Sequence, residues 1–543
     1  MNCLSKKNVV ELIDLPDELI LYIMNKVNPH VLLLCSMIHI GNHRLEELAF
    51  DRCHSIDLTF YYIGTPYRPF IRRFYSHVMP RIGHHIQSLT INLDQISYIK
   101  TFVKNNFNGT FPNLTHLKIM LGAKHAKTGI PYTMNRPMKS LAMCKPLFSI
   151  VPQYFLLPKY IIGEKLSALW RSSFMRSIES FELDDNGILV ERLGDDELRF
   201  DQVIRLTHLR ISLWHFDQCV HLLNQLGSQL YSFTVTIGDI FEEEPNLIPK
   251  IRLISCPNLK QMTMTIYRNF NNYEPFIFLL QRLVNVEYLT LLLAINVKGI
   301  VSSYFIDGFF LEKNILRYMP HLRQFNYHIR SILKNASHIT IDRIRQSFLK
   351  QRQPFDCVLD NFNNNYGQCQ IYSIPFIGTR LDFVSNRFPL YDINKTFSNV
   401  TILLLFDDIK PFESVFFERV ARALPRLRTL EIINQLEQQE KTTTKKINID
   451  FAHLTVLILY DIHMDYAQQF LCQIYLPSLI ELAINKDILL TIIDQNQQQA
   501  RDNCSRVGRV LTSKPSYESI DIIRNFFPRA HYVKHSCEVK TIK

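Results

Sequence analysis

The hydrophobic positions of this chain change period near residue 55. Before it they recur three and four apart, the spacing of an amphipathic helix. Leu19, Ile20, Ile23, Met24 and Val27 form one stripe, Val31 to Ile38 a second apolar run, and Leu45, Leu48, Ala49 and Cys53 a third. The first stripe has a marked start. Leu15 precedes a proline and is steered away from the helical region. Pro16 suits the first helical position, and Asp17 and Glu18 put negative charge at the positive end of the helix dipole. Asn28-Pro29 ends this helix, and Gly41-Asn42 precedes the third. Three helices this short carry more apolar surface than they can bury among themselves. The surplus faces the rest of the chain or a partner.

After residue 55 a different pattern repeats: apolar-x-x-apolar-x-apolar, often preceded by Pro and a polar residue. Pro112-Asn113-Leu114-Thr115-His116-Leu117-Lys118-Ile119, Pro425 to Ile432 and Pro477 to Ile484 are the plainest copies. The first apolar residues of the copies are Ile86, Leu114, Ile178, Leu206, Leu230, Leu259, Val286, Leu322, Val400, Leu427, Leu454 and Leu479, most of them 24 to 29 positions apart. Between copies there is room for one helix. Gln95 to Phe107, His215 to Leu226, Phe412 to Leu424 and Met464 to Tyr475 have the spacing for it. Motif and period together resemble leucine-rich repeats. That resemblance implies a curved parallel sheet with helices outside it, each repeat buried against its neighbours as one cooperative array.

The expected organisation is therefore α/β. A disordered stretch over 1–10 precedes a trihelical module over 11–55, and an irregular solenoid follows over 56–528. A loop insertion near 121–140 and an irregular segment near 335–395 interrupt it. There Ile339 to Leu349 reads as helix and Ile371-x-x-Ile374-x-Phe376 as a poor repeat. A basic tail spans 529–543.

Leu15-Pro16-Asp17-Glu18-Leu19, followed by Ile23, resembles the opening Leu-Pro-x-Glu-Leu/Ile motif of F-box proteins. With repeats behind it, the chain is similar to the F-box/leucine-rich-repeat class. The resemblance implies a substrate receptor of a Skp–cullin–F-box ubiquitin ligase that has no catalysis of its own. A Skp-type adaptor would dock on Leu15, Pro16, Glu18, Leu19, Ile23, Leu32 and Leu33, linking the chain to a cullin–RING ligase. The repeats would hold a protein substrate, in the cytoplasm, the nucleus or both. The sequence names no substrate.

Within each repeat strand two apolar positions point to the core, and the residue between them points to the open face. That places Lys118, Arg210, Thr234, Thr263, Thr290 and Asn326 on a polar half of the open face. Leu404, Glu431 and Ile458 follow on a more apolar half, with Phe406 and Tyr460 beside them. Lys118, Arg210, Leu404, Phe406, Glu431, Ile458 and Tyr460 are the candidate substrate contacts. A strip of exposed apolar residues calls for a partner or a covering segment. Gln435 to Lys446 and the tail are the chain's own candidates to cover it.

Composition changes little in this picture. The net charge of +11 admits a nucleic-acid binder. The basic residues are nevertheless dispersed, with small clusters at Arg72-Arg73, Lys124 to Lys139 and Lys441 to Lys446. The eleven cysteines form no Cys-x-x-Cys pair, which points to reduced thiols rather than zinc or disulfides. No run of some twenty apolar residues spans a membrane, and Met1 to Lys7 lacks the apolar core of a signal peptide. No phosphate-binding glycine loop and no metalloprotease or hydrolase motif occurs. His84-His85, Asp184-Asp185 and Asp407-Asp408 read as loop and turn residues. Neither catalytic residues nor a cofactor or metal is expected. Two rivals stay open: a repeat scaffold with no ligase partner, and a nucleic-acid-binding protein.

Overall fold

A computed structural model of the chain describes residues 11–26, 30–51, 53–61, 69, 72–92, 95–120, 124–125, 166–184, 205–213, 215–237, 247–270, 273–297, 304–349, 353–363, 365–390, 396–440, 449, 451–512, 517–529 and 531–532. They fall into two compact units. The first runs to Val235, and the second runs from Thr236 onward with His215–Val220 grouped into it.

The first unit opens with helices α1 (Asp17–Lys26), α2 (His30–Met37) and α3 (His43–Phe50). A parallel ladder follows, made of β1 (Ser55–Asp57), β2 (Ser88–Asn92), β3 (His116–Met120), β4 (Ser180–Asp184) and β5 (His208–Leu213). The strands pair residue for residue. Ile56, Leu89, Leu117, Phe181 and Leu209 form one row, and none is more than 2% exposed.

The repeat works through its backbone as well as its leucines. The carbonyl just before one strand accepts two successive N–H groups from the next repeat. Gln87 O accepts from Thr115 and His116 (both 3.0 Å), and Glu179 O accepts from Thr207 (2.9 Å) and His208 (3.0 Å). The same clamp recurs in the second unit, where Arg428 O accepts from Thr455 (2.8 Å) and Val456 (2.9 Å). Pro112, Pro257, Pro320, Pro425 and Pro477 each sit in the turn that precedes a strand, where a fixed φ pre-sets the bend. Of the twelve leading apolar residues all but Leu322 are at most 2% exposed.

Strand β6 (Ser232–Ile237) alternates half-buried and buried positions. In the second unit β7 (Gln261–Phe270), β8 (Tyr288–Asn296) and β9 (Gln324–Lys334) are parallel. The irregular segment then departs from expectation. Instead of a poor repeat, Phe355–Asn361 (β10) and Tyr366–Ser373 (β11) form an antiparallel hairpin, and β11 pairs antiparallel with β9. The cause lies in the asparagine run: Asn365 takes a left-handed φ of 62, which asparagine tolerates, and the chain reverses there. The helix expected over Ile339 to Leu349 is present as Ile341–Ser347.

A seven-stranded parallel sheet follows: β12 (Arg380–Val384), β13 (Ile402–Phe406), β14 (Thr429–Asn434), β15 (Val456–Ile462), β16 (Glu481–Ile484), β17 (Arg509–Leu511) and β18 (His531–Tyr532). Its last strand lies in the expected basic tail, so the ladder runs beyond residue 528. The rest of that tail, residues 1–10, most of the 121–140 insertion and Lys441 to Lys446 lie outside the described residues.

The expected helices form as Ile96–Asn106, Phe216–Leu226 and Ser414–Ala423. The fourth begins as Met464–Ala467 and continues as a wider π turn over Gln468–Gln473. Phe416, Phe417 and Val420 share one core cluster with Leu403, Leu430 and Leu457. The strands' leucine face therefore meets the helices, and the alternate residues form the open face. Among the described residues no helix is long and apolar enough to cross a membrane.

Candidate functional site

Two surfaces and one buried seam carry the candidate chemistry. The first surface is on α1. The apolar stripe read from the sequence splits in two: Ile20 (0%) and Met24 (1%) are buried, whereas Leu19 (49%), Tyr22 (61%) and Ile23 (38%) face solvent. Leu12 and Ile13, in the 3-10 turn before α1, are also exposed. Pro16 and Glu18 are exposed and Leu15 is half-buried. Leu33 is buried, because α2 turns that residue inward with Val31 and Leu34. It offers no docking surface, contrary to expectation. The Leu32 side chain lies outside the described set.

Arginines hold this face in place. Arg44 on α3 meets Asp17 Oδ1 through Nε (2.8 Å) and Nη2 (2.7 Å). It also donates to the carbonyls of Ile13 (2.7 Å) and Leu15 (2.7 Å). One guanidinium thus ties the start of α1 to α3. Arg73 donates to the carbonyls of Cys35 (3.0 Å), Ile38 (3.2 Å) and His39 (3.1 Å), where the end of a helix leaves acceptors unsatisfied. Arg81 pairs with the nearly buried Glu46. The thiols of Cys35 and Cys53 are pushed up to about 11, burial being the main cause, so neither is a ready nucleophile.

The second surface is the open face of the first unit's ladder. Lys118, Glu182 and Arg210 stand in one row on β3, β4 and β5. Lys118 Nζ (3.0 Å) and Arg210 Nη1 (3.4 Å) meet the same atom, Glu182 Oε1. The next row holds His116, Ser180 and His208. Both imidazoles are exposed, and each Nδ1 is held by the preceding threonine hydroxyl, at 2.7 Å from Thr115 and 2.9 Å from Thr207.

The apolar half of the expected open face is closed. Leu404 (3%), Glu431 (5%) and Ile458 (1%) are buried and are not presented to a partner. Phe406 is half-buried, its ring 5.3 Å from Phe362 and 5.8 Å from Phe383. The residue just after hairpin strand β10 and the bulged strand β12 thus supply the aromatic rings around it. The Tyr460 side chain lies outside the described set.

Beside these residues runs the seam that sequence reading missed. Phe383 sits at a bulge in β12 with a φ of 55. Its carbonyl accepts from Gln368 (3.0 Å) and Gln370 (3.1 Å) of β11, and its ring lies 4.2 Å beneath the Arg330 guanidinium. Gln370 meets His328 Nε2 at 2.9 Å. Gln368 and Ser385 both donate to the enclosed Asp360, at 3.4 Å and 2.7 Å. Burial lowers His328 to about 4 and Arg330 to about 10. Burial also raises Asp360, against the hydrogen bond from Ser385. A recess of about 20 Å³ lies between His328, Arg330, Arg380 and Asp382, room for one or two water molecules and not for an organic ligand. The seam ties the hairpin to the next sheet. Its residues come as alternating pairs, His328 and Arg330, Gln368 and Gln370, Phe383 and Ser385, and no repeat period links one pair to the next.

No family model matches the chain, and no curated protein sequence does. Among solved structures 26 chains match. One is described as the crystal structure of the Rad7 and Elc1 complex in yeast. It is 13% identical over 86% of this chain and 88% of that one, with a TM-score of 0.26, too loose a likeness to carry a role across.

Proposed function

We propose that this chain is a non-catalytic receptor subunit of a Skp–cullin–F-box ubiquitin ligase. The α1 face docks a Skp-type adaptor, and the open face of the first ladder holds a protein substrate. The exposed Leu19, Tyr22 and Ile23, on a helix fixed by Arg44, are the observation that carries this reading. Three large side chains on one short helix are an unusual thing to leave in water, since burying each contributes about 1.5–3 kcal/mol. Leu15, Pro16 and Glu18 complete the docking motif. The subunit acts by proximity: it holds the substrate near the machinery that modifies its lysines. It works where that machinery works, in the cytoplasm or nucleus.

Capture by a purified Skp-type adaptor tests the reading, with wild type compared to a Leu19→Asp, Ile23→Asp variant. Both residues are exposed, so the variant keeps its circular-dichroism spectrum. Its affinity is expected to fall by at least about tenfold, as for an interface anchor. No capture of wild type, or equal capture of both, overturns the reading in favour of a scaffold without a ligase.

A further inference from the structure

We propose that the turns entering β7, β8 and β9 form a docking strip for an acidic segment of a partner protein that carries bulky apolar side chains. These three turns stack directly on one another. Lys260 O accepts from the amides of Glu287 and Tyr288 (both 2.9 Å), and Glu287 O accepts from those of Arg323 (2.8 Å) and Gln324 (3.1 Å). Asn285 Nδ2 reaches back to Pro257 O at 3.3 Å, and Arg282 Nη2 to Ile254 O at 3.2 Å, beside Leu253. The slot two residues before each leading apolar position holds Pro257, Val284 and Pro320, all of them exposed. Leu253 is 77% exposed, and Val284, Tyr288 and Tyr318 are 39% to 44% exposed. Four large apolar side chains on one edge of three adjacent repeats form a patch rather than scattered exposure, the mark of an interaction surface.

Charge selects the occupant. Over residues 252–260, 281–288 and 316–324 there are five cations, Arg252, Lys260, Arg282, Arg317 and Arg323, and one carboxylate, Glu287. Glu287 engages Lys260 (3.0 Å) and Arg323 (3.1 Å). Arg252 and Arg317 are exposed and pair with no carboxylate among the described residues. Arg252 and Arg282 end their helices, where a cation suits the dipole. That accounts neither for Arg323 nor for the uncovered leucine, valine and tyrosines. Arginine and tyrosine are the residues that protein interfaces favour, and four of these five cations are arginines, whose fork takes a carboxylate through two hydrogen bonds. Glu287, held between cations of two repeats, already shows the pairing that a partner's carboxylates would extend. A bilayer needs apolar groups that protrude into it. Val284, Tyr288 and Tyr318 keep more than half of their surface covered, so they form a floor for a partner's side chains. The strip belongs to the second unit and does not rest on the receptor reading.

The test uses the full chain and three fluorescein-labelled peptide pools, read by anisotropy. The first pool alternates Asp or Glu with Leu, Phe or Tyr. The second replaces its acids with Lys or Arg, and the third replaces its apolar residues with Ser or Gly. The first pool is expected to bind at least about tenfold tighter than either of the others, the scale of an interface anchor. Arg252→Glu combined with Arg317→Glu removes that preference, and Leu253→Ser weakens binding of the first pool. All three side chains are exposed, so the variants keep the circular-dichroism spectrum of wild type. Lys104→Glu combined with Arg428→Glu makes the same change in net charge at exposed positions elsewhere and leaves the preference intact. Equal binding of the first pool and either other pool overturns the proposal, as does an arginine variant that keeps the preference or a control variant that loses it. Phosphatidylserine vesicles and a DNA duplex are measured in parallel. If either is bound through Arg252 and Arg317 while no peptide pool is, the occupant is a membrane or a nucleic acid and the proposal falls. Adaptor capture has no bearing on these outcomes, so the strip and the receptor reading stand or fall separately.

Discussion

A carboxyl group at position 431 is enclosed in a row between Leu404 and Ile458, and no hydrogen-bond partner meets its Oε1 among the described residues. Burial holds it up at about 7 against an ordinary 4.5, with Arg380 pulling it down and Asp382 pushing it up. Below pH 4.5 the group is protonated in folded and unfolded chains alike. Between 4.5 and 7 only the unfolded chain releases the proton, so this residue's share of stability falls as pH rises and levels off above about 7. Glu431→Gln is therefore expected to match wild type near pH 4.5 and to exceed it at pH 8. The gain is up to about 3 kcal/mol, from some 1.4 kcal/mol per pH unit, read as urea midpoints. His328, held neutral by burial, drives stability the opposite way between about 6.5 and 4. The difference between variant and wild type, rather than either curve, isolates Glu431. A variant no more stable at pH 8 means that the carboxylate has a partner after all. Asp360 is the opposite case, with Ser385 and Gln368 both donating to it. Asp360→Ala strands those donors in a buried seam and is expected to cost about 3 kcal/mol, seen in the same titrations.

At the level of elements, α1 depends on a single side chain of α3. The Arg44–Asp17 ion pair is half exposed and contributes little alone. The two carbonyls it also satisfies make the fork more than a surface pair. Arg44→Ala is expected to cost the module about 1–2 kcal/mol and to speed amide exchange in α1. Arg44→Lys rescues little, because an ammonium cannot span the same fork. An unchanged exchange rate in α1 counts against this role. The ladder and the helix starts were legible because each is a local pattern: a leucine spacing, a proline turn, an acidic first turn. Cys53-x-x-Ile56-x-Leu58 carries the full spacing and frames β1, whereas at β17 only Val507-x-x-Val510 keeps it, with Thr512 in the third apolar slot. Before β12 the leading slot holds Gly378, which erases the mark. Which side of α1 stays wet, and whether the open face is covered, depend on contacts with distant residues. Leu19 and Ile20 look equivalent in sequence; only Ile20 finds a neighbour to bury it.

For the whole molecule, the net charge of +11 is the quantity that keeps a nucleic-acid role in play. Ion pairs leave that net figure unchanged, but some of the basic side chains are already engaged by carboxylates: Glu182 meets Lys118 and Arg210, and Glu287 meets Lys260 and Arg323. A 30-base-pair duplex is accordingly expected to bind no tighter than about 10⁻⁵ M in 0.15 M salt, the range of non-specific contacts. A tighter complex whose affinity falls steeply with added salt would restore that role. Repeat arrays draw stability from neighbouring pairs. Leu430→Ala, at a fully enclosed row position, is thus expected to cost about 2–5 kcal/mol and to lower the thermal midpoint. The clamp between repeats is built on main-chain atoms, one carbonyl and two amides, and the one side chain that joins it is a threonine hydroxyl at the foot of the strand, from Thr115, Thr207 or Thr455. The scaffold is therefore indifferent to most of the letters on its open face. Selection, or a protein engineer, can rewrite what this surface recognises one strand at a time, with the stacking left as it was.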